Sequence, residues 1–395
     1  MEPESTLKPE INPKSKGHDF QTGKILALSI GHFVHDVYSS FLAPLLPLLI
    51  EKLSMSLTQA GFLSTVMQIP ALMNPYIGVM ADRISVRYFV ILAPALTAIP
   101  MSLIGMAPGY GVLLILLFLT GVSVSVFHVP APVMVSDFSA ARKGRGMSFF
   151  MTGGELARSV GPLVAVAAVA VFGLEGFYPV MIFGLLSTVW LFFKFRTAPV
   201  KQVGSKHRLS VLQTWGNLSH VLLPLTAIMV TRGFMHAAMA AFLPTYIKME
   251  TGNLWLAGMA LTLFEAAGVA GVLAAGSISD WFGRRNTLLV SLLGAPLCLF
   301  VFTLSGGGLR VAALIVTGFM LLSTTPVMLA LVQENAGQAP AAANGLFMMI
   351  SFIARSAVVV VVGFIADRIG LNNTYLICAA IGLIGIPFIL MLPKK

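Results

Sequence analysis

Apolar residues run through this chain in long blocks rather than in alternation. Twelve blocks of roughly 20 residues, the length a helix needs to cross a bilayer, predict spans at 24–50, 58–80, 88–107, 110–135, 147–172, 177–196, 217–247, 254–278, 287–304, 310–333, 341–365 and 372–392. Polar residues gather between the blocks, and few interrupt them. In the first block, Gly31-His-Phe-Val-His-Asp-Val-Tyr38 puts His32, His35 and Asp36 near mid-span on one helical face. A carboxylate at that depth costs about 2.5–3.5 kcal/mol on insertion scales, so such groups face a bundle interior or a wet cavity. A buried His/Asp pair that only locks helices together is the plainer alternative.

Composition agrees with a membrane protein. Of 395 residues, 57% are hydrophobic and 10% charged, too few charges to cover a soluble surface. The first 23 residues are polar and lack the short apolar core of a cleavable signal peptide. Cys298 and Cys378 both fall inside predicted spans, so neither a disulfide framework nor a metal cluster is expected. The net charge of +10 would fit a nucleic-acid partner, but its distribution says otherwise. With both termini placed in the cytoplasm, eighteen of the 25 Lys and Arg fall in the tails and cytoplasmic loops. Four (Lys52, Lys248, Arg310, Arg368) fall outside, and three (Arg158, Arg232, Arg355) lie within spans. This is the positive-inside pattern. The basic balance therefore reports orientation in a cell (inner) membrane, and no nucleic acid is expected.

The chain reads as one half written twice. Phe-Val-His35-Asp-Val-Tyr-Ser-Ser-Phe41-Leu pairs with Phe-Met-His236-Ala-Ala-Met-Ala-Ala-Phe242-Leu. Gly78-Val-Met-Ala-Asp82-Arg83 pairs with Gly276-Ser-Ile-Ser-Asp280-Trp281, and Ala157-Arg158-Ser159 with Ala354-Arg355-Ser356. Asp82 and Arg158 are 76 residues apart, Asp280 and Arg355 75. Landmarks in one order at one spacing indicate a duplicated six-span unit. The expected divisions are a tail at 1–23, a bundle at 24–196, a basic cytoplasmic linker at 197–216 and a second bundle at 217–395.

The loop after span 2, repeated after span 8, resembles the Gly-x-x-x-Asp-Arg-x-Gly-Arg-Arg signature of the major facilitator superfamily. Gly78, Asp82, Arg83 and Arg87 carry it in the first copy, where Ser85 and Val86 depart from it; Gly276, Asp280, Gly283, Arg284 and Arg285 carry it in the second, where Trp281 departs. The resemblance implies an all-α membrane protein with twelve transmembrane helices in two pseudo-symmetric six-helix bundles, a central cavity and alternating access. Gly31–Pro47 and Phe127-His-Val-Pro resemble the fosmidomycin-resistance group of bacterial exporters. Gly161-Pro162 resembles the antiporter motif of superfamily exporters, with Ala165 where a further Gly is expected. The loop carboxylates and arginines are read as a latch between bundles, remade as the bundles rock.

Six charged groups interrupt the spans: Asp36, Glu155, Glu265, Arg158, Arg232 and Arg355. Before pairing they cost on the order of 18 kcal/mol. One reading is structural ion pairing, Glu155 with Arg158 and Arg232 with Glu265. The other is a polar cavity that binds an anionic or zwitterionic molecule, with Arg158, Arg232, His236, Arg355, His128 and Gln68 as substrate-binding residues. No Gly-x-x-x-x-Gly-Lys-Ser/Thr loop occurs, so an ion gradient is the expected energy source. Asp36, with His32 and His35, is the first choice for proton coupling, and Glu155 and Glu265 follow. The expected protein is a monomeric secondary transporter, not an enzyme, without cofactor or metal. It exports a small organic compound, anionic or amphiphilic, in exchange for protons. The alternatives are import or anion exchange of an organic acid or phosphorylated compound, and a transport-dead sensor or scaffold.

Overall fold

The computed structural model describes residues 20–74, 77, 87–140, 142–197, 211–336 and 340–393. Gly78, Asp82 and Arg83 of the first loop motif lie outside the described residues, as does most of the linker. Among the described residues every regular element is helical.

Span 1 is two helices, α1 (Thr22–Ser39) and α2 (Leu42–Leu53). The break has local causes. Ser39 and Ser40 turn their hydroxyls onto the carbonyls of Asp36 and Val37, and Pro44 has no N–H to continue the ladder. Span 2 begins as α3 (Leu57–Gln68), opened by a reciprocal Ser56–Gln59 capping box. Span 3 is α4 (Arg87–Leu103). Span 4 is α5 (Tyr110–His128) and α6 (Ala131–Phe138), parted at Val129–Pro130. Spans 5 and 6 are α7 (Lys143–Phe172) and α8 (Met181–Phe195).

The second half repeats this plan. Span 7 is α9 (Val211–Ala237), a π-helical turn at Ala238–Phe242 and α10 (Leu243–Thr251). α11 (Leu254–Phe282), α12 (Arg284–Leu304) and α13 (Gly307–Asn335) follow. α14 (Pro340–Ile384) and α15 (Ile386–Leu390) end the chain. Ten described stretches are long and apolar enough to cross a membrane. The last of them turns at Gly370, whose φ of 78° suits only glycine, and so covers two predicted spans. With α3 counted, the pattern is compatible with twelve.

Each half packs within itself, α1 on α7 and α4 on α8 in the first, α11 on α13 and α9 on α14 in the second. Two seams join the halves, α3 against α14 and α7 against α11. The duplication maps span 2 onto span 8 and span 5 onto span 11, so both seams are one contact made twice.

The seams are tied firmly at one end. The Asp367 carboxylate on α14 accepts from the Leu57 N–H (2.7 Å), the Thr58 N–H (2.9 Å) and the Thr58 hydroxyl (2.5 Å), capping α3 from the opposite bundle. Lys248 pairs with Glu51 across the same boundary. A Cβ on Gly61 would lie 2.6 Å from the Val359 carbonyl oxygen, so the α3 backbone lies directly on α14.

Hydrogen bonds to a charged group contribute about 1.5–3 kcal/mol each, and three converge on Asp367. Replacing it by asparagine is expected to loosen this end. Spin labels at Met106→Cys and Met249→Cys, both exposed there, in a Cys298→Ala/Cys378→Ala background, should report a longer-distance population in Asp367→Asn. An unchanged distance distribution would show that the cap does not hold the end shut.

Candidate functional site

α1 presents three polar side chains on its buried face. Asp36 is 7% exposed, His32 3% and His35 fully buried. A carboxylate so enclosed needs donors from within the protein. His35 Nδ1 meets Asp36 Oδ1 at 2.7 Å. His32 Nε2 stands 3.1 Å from Oδ2 and His128 Nε2 3.6 Å from the same oxygen. His128 is the last residue of α5, placed there by the break before Pro130. The rings are seated by aromatics: His32 stacks on Phe150 (4.1 Å) and His35 on Phe127 (4.4 Å).

α7 closes over this group because it carries glycine at the contact. A Cβ on Gly154 would come within 2.5 Å of the His32 ring and 3.1 Å of Asp36 Oδ2. The same turn of α7 supplies the Phe150 carbonyl, 2.8 Å from His32 Nδ1.

One turn further along, Glu155 and Arg158 form an ion pair. The Arg158 side chain is 45% exposed although it sits within a span. Across the seam, Glu265 of α11 acts electrostatically on Arg158 and has no ion pair of its own among the described residues. The expected pairing of Arg232 with Glu265 does not form. Arg232 donates instead to the Leu321 carbonyl (3.2 Å) and the Thr325 hydroxyl (3.0 Å) on α13, because α9 lies beside α13 and not beside the Glu265 face of α11. Arg355 of α14 lies over the Phe352 ring at 4.9 Å, and its Nε is buried without a hydrogen-bond partner. Arg232, Arg355, Arg158 and His236 are close enough to feel one another's charge. Three guanidinium groups from both halves thus lie in electrostatic range of one another, only one of them in direct contact with a carboxylate.

Gln68, read as a cavity residue, turns its amide onto the Ser64 carbonyl of its own helix at 3.2 Å. In the second loop motif, Gly283 adopts φ 89°, and this turn folds Arg284 back over the end of α11. Arg284 bonds Asp280 (2.5 Å), Ser279 and, on α13, Glu334 (3.1 Å). The expectation was a latch between bundles; the contact observed here ties α11, α12 and α13 within one bundle. Arg87 opens α4, and Arg285 follows Arg284 at the start of α12.

Sequence reasoning did not single out Phe150, Gly154, Glu334 or Asp367. Gly154 belonged to the quoted Gly153-Gly154-Glu155 stretch, and its small size was the available signal. The spacing of His32, Asp36 and His128 along the chain gave no sign of a ligand set, yet their donor atoms lie within 4.8 Å of one another.

Two helical bundles related by duplication, joined along two seams around a charged cavity, define a membrane transporter of the secondary type, not an enzyme. The Major Facilitator Superfamily model matches residues 28–359, and the chain belongs to that family. It is similar to the fosmidomycin resistance protein of Escherichia coli, 26% identical over 371 residues that cover 92% of this chain and 91% of that one. It is 25% identical over 285 residues to the multidrug resistance protein MdtG of Salmonella arizonae, covering 68% and 70% of the two chains. Its fold is similar to the crystal structure of a bacterial homolog to human lysosomal transporter Spinster in an inward-facing and occupied conformation. That likeness has a TM-score of 0.81 at 14% identity and covers 94% of this chain and 97% of that one. The chain is therefore a multi-pass membrane transporter of small molecules.

Two helical glycines separate packing from propensity. Gly154→Ala drives a methyl into His32, and overpacking of this kind costs about 1–3 kcal/mol. Gly276→Ala meets nothing within 4 Å and gains helix propensity of up to about 1 kcal/mol. Thermal midpoints in detergent should fall for the first and hold or rise for the second. The reverse order would mean that α7 does not close on α1 as described.

Proposed function

We propose that the chain is a proton-coupled exporter of a small organic molecule that carries an acidic group, working as a monomer by alternating access. The carrying observation is the set of Arg158, Arg232 and Arg355, supplied by both bundles to one cavity and left largely without carboxylate partners. Guanidinium groups present paired donors that match carboxylate, phosphate and phosphonate oxygens. An anion bound between Arg158 and Arg355 touches both halves, so its binding responds to their rocking.

The positive-inside count supports an orientation with the end tied by Asp367 outside and the opposite end of the seams facing the cytoplasm, where an exporter loads. The names of the relatives, fosmidomycin resistance and multidrug resistance, fit that direction.

For the proton we put Glu265 first. Glu155 is held by Arg158 and Asp36 by three imidazoles, whereas Glu265 is free to exchange its proton without breaking an ion pair. Antiport requires proton and substrate to exclude each other. A substrate with a donor group beside its acid meets this requirement, the acid on the arginines and the donor on Glu265. A pure anion behaves in the opposite way: it binds cooperatively with a proton beside Glu265, and the two travel together. The arginines suit a pure anion as well, and this second reading is import or exchange of an organic acid.

Proteoliposomes holding a pH dye separate the cases. Zwitterionic loads should drive protons against the substrate flow, and Glu265→Gln should abolish that movement while Asp36→Asn keeps it. Arg355→Ala should raise the half-saturating substrate concentration at least about tenfold, the loss of one charge-assisted contact. Proton movement lost in Asp36→Asn but kept in Glu265→Gln would return the proton to span 1. Movement of protons with the substrate would establish the importer.

A further inference from the structure

We infer that His32, Asp36 and His128 form a binding site for a divalent transition-metal ion on the wall of the cavity. The argument begins with where the ring protons are. A backbone carbonyl only accepts hydrogen bonds, so each imidazole nitrogen facing one carries the hydrogen. His32 Nδ1 faces the Phe150 carbonyl at 2.8 Å and His128 Nδ1 faces the Val124 carbonyl at 3.2 Å. In the neutral rings both Nε2 atoms are therefore bare lone pairs. Both lie close to Asp36 Oδ2, at 3.1 and 3.6 Å. Three acceptors converging on one point repel one another unless a proton or a metal ion lies between them. His32 Nε2 is accordingly buried without a hydrogen-bond partner.

The arrangement has the features of a metal site beyond the donor count. A carbonyl on the far nitrogen of each histidine is the usual device that fixes tautomer and ring direction for a ligating imidazole. His32 and Asp36 are four apart on α1, the helical spacing by which one face offers two ligands to one ion. Asp36 Oδ1 is held by His35 at 2.7 Å, which leaves Oδ2 to point at the two nitrogens. Metal–donor bonds of about 2.0–2.1 Å at tetrahedral angles put neighbouring donors about 3.3 Å apart. Two of the three separations already bracket that value, and all lie within 4.8 Å. The remaining adjustment falls on His128, whose side chain is 39% exposed. Two imidazoles and a carboxylate suit zinc, cobalt, nickel or ferrous iron rather than magnesium or calcium.

Remaining coordination positions face the cavity on the His128 side, where water or an oxygen of a bound anion fits. Arg158 lies in electrostatic range of His128 and Asp36, but its ion pair with Glu155 offsets its charge. With metal bound, Asp36 is a ligand, in keeping with a coupling proton on Glu265. The site itself depends on neither the direction of transport nor the coupling ion.

The test uses the full chain, purified in detergent with any affinity tag removed, and the metals Co2+ and Zn2+ alone as probes. The expected result is one ion per chain. Co2+ should give the intense visible absorption of a low-coordinate site. X-ray absorption of the Zn2+ form should show a first shell of N and O at about 2.0–2.1 Å, with outer-shell scattering from two imidazoles. His128→Gln, at a side chain 39% exposed, should weaken binding at least about tenfold. His220→Ala, exposed on α9, should leave it unchanged. Absence of stoichiometric binding by the wild-type chain would overturn the proposal, as would a Zn2+ spectrum without imidazole scattering or full binding retained in His128→Gln. Because binding alone is read, failure here leaves the transport reading standing, and failure of transport leaves this site standing.

Discussion

A carboxylate in an apolar span has to find its partners inside the protein. Asp36 sets this requirement at the centre of the first bundle, and much of the local construction follows from it. Asp36 is only 7% exposed, so its polar neighbours come from α1 itself and from the end of α5. To bring His128 in, span 4 breaks at Val129–Pro130. To cover the group without a void, α7 carries Gly154 where any Cβ would collide with His32. The aromatic rings of Phe127 and Phe150 then fix the imidazoles from the apolar side. Packing and electrostatics are a single problem here, since moving α7 outward by the width of a methyl would also release the His32–Phe150 contact.

The second bundle meets the same kind of requirement differently. It has no counterpart of Asp36, since Ala237 follows His236 where Asp36 follows His35. Its arginines are instead satisfied by neutral groups, the Leu321 carbonyl and Thr325 hydroxyl for Arg232 and an aromatic face for Arg355. Neutral partners leave the positive charge uncompensated. Duplication followed by divergence has therefore produced one half that encloses a carboxylate and another whose arginines lack carboxylate partners.

Much of this was legible in the residues. Long apolar blocks gave the spans, because a helix in lipid must satisfy its backbone internally and so shows as an uninterrupted run. The paired landmarks gave the two halves, and the Glu155–Arg158 spacing gave its ion pair. What stayed hidden was whatever depends on which helices are neighbours. Arg232 and Glu265 look like partners along the sequence, but α9 packs on α13 and the guanidinium finds Thr325 there. Asp367 looks like an ordinary loop-side carboxylate beside Arg368, yet it caps a helix of the opposite bundle. His128 looks solitary because its partners are some ninety residues earlier. The metal-like convergence exists only once α1, α5 and α7 are brought together.

The same geometry links the closed end to the cavity. α3 and α14 form one seam, and α14 carries both Asp367 at its tied end and Arg355 in the cavity. α7 and α11 form the other, and they carry Arg158 and Glu265 on facing sides. Helices transmit displacement as rigid rods over a few turns, and packed interfaces shift between discrete arrangements rather than deforming continuously. Release of the Asp367 cap lets α14 tilt relative to α3, and Arg355 moves with it. Under the proposed function, an anion held between Arg158 and Arg355 would resist that tilt until the opposite ends of the seams close. The ligand contact and the end-cap then act on one two-position hinge. This gives alternating access a physical basis in these residues: neither end needs to sense the other directly, because both are built on the same two pairs of helices.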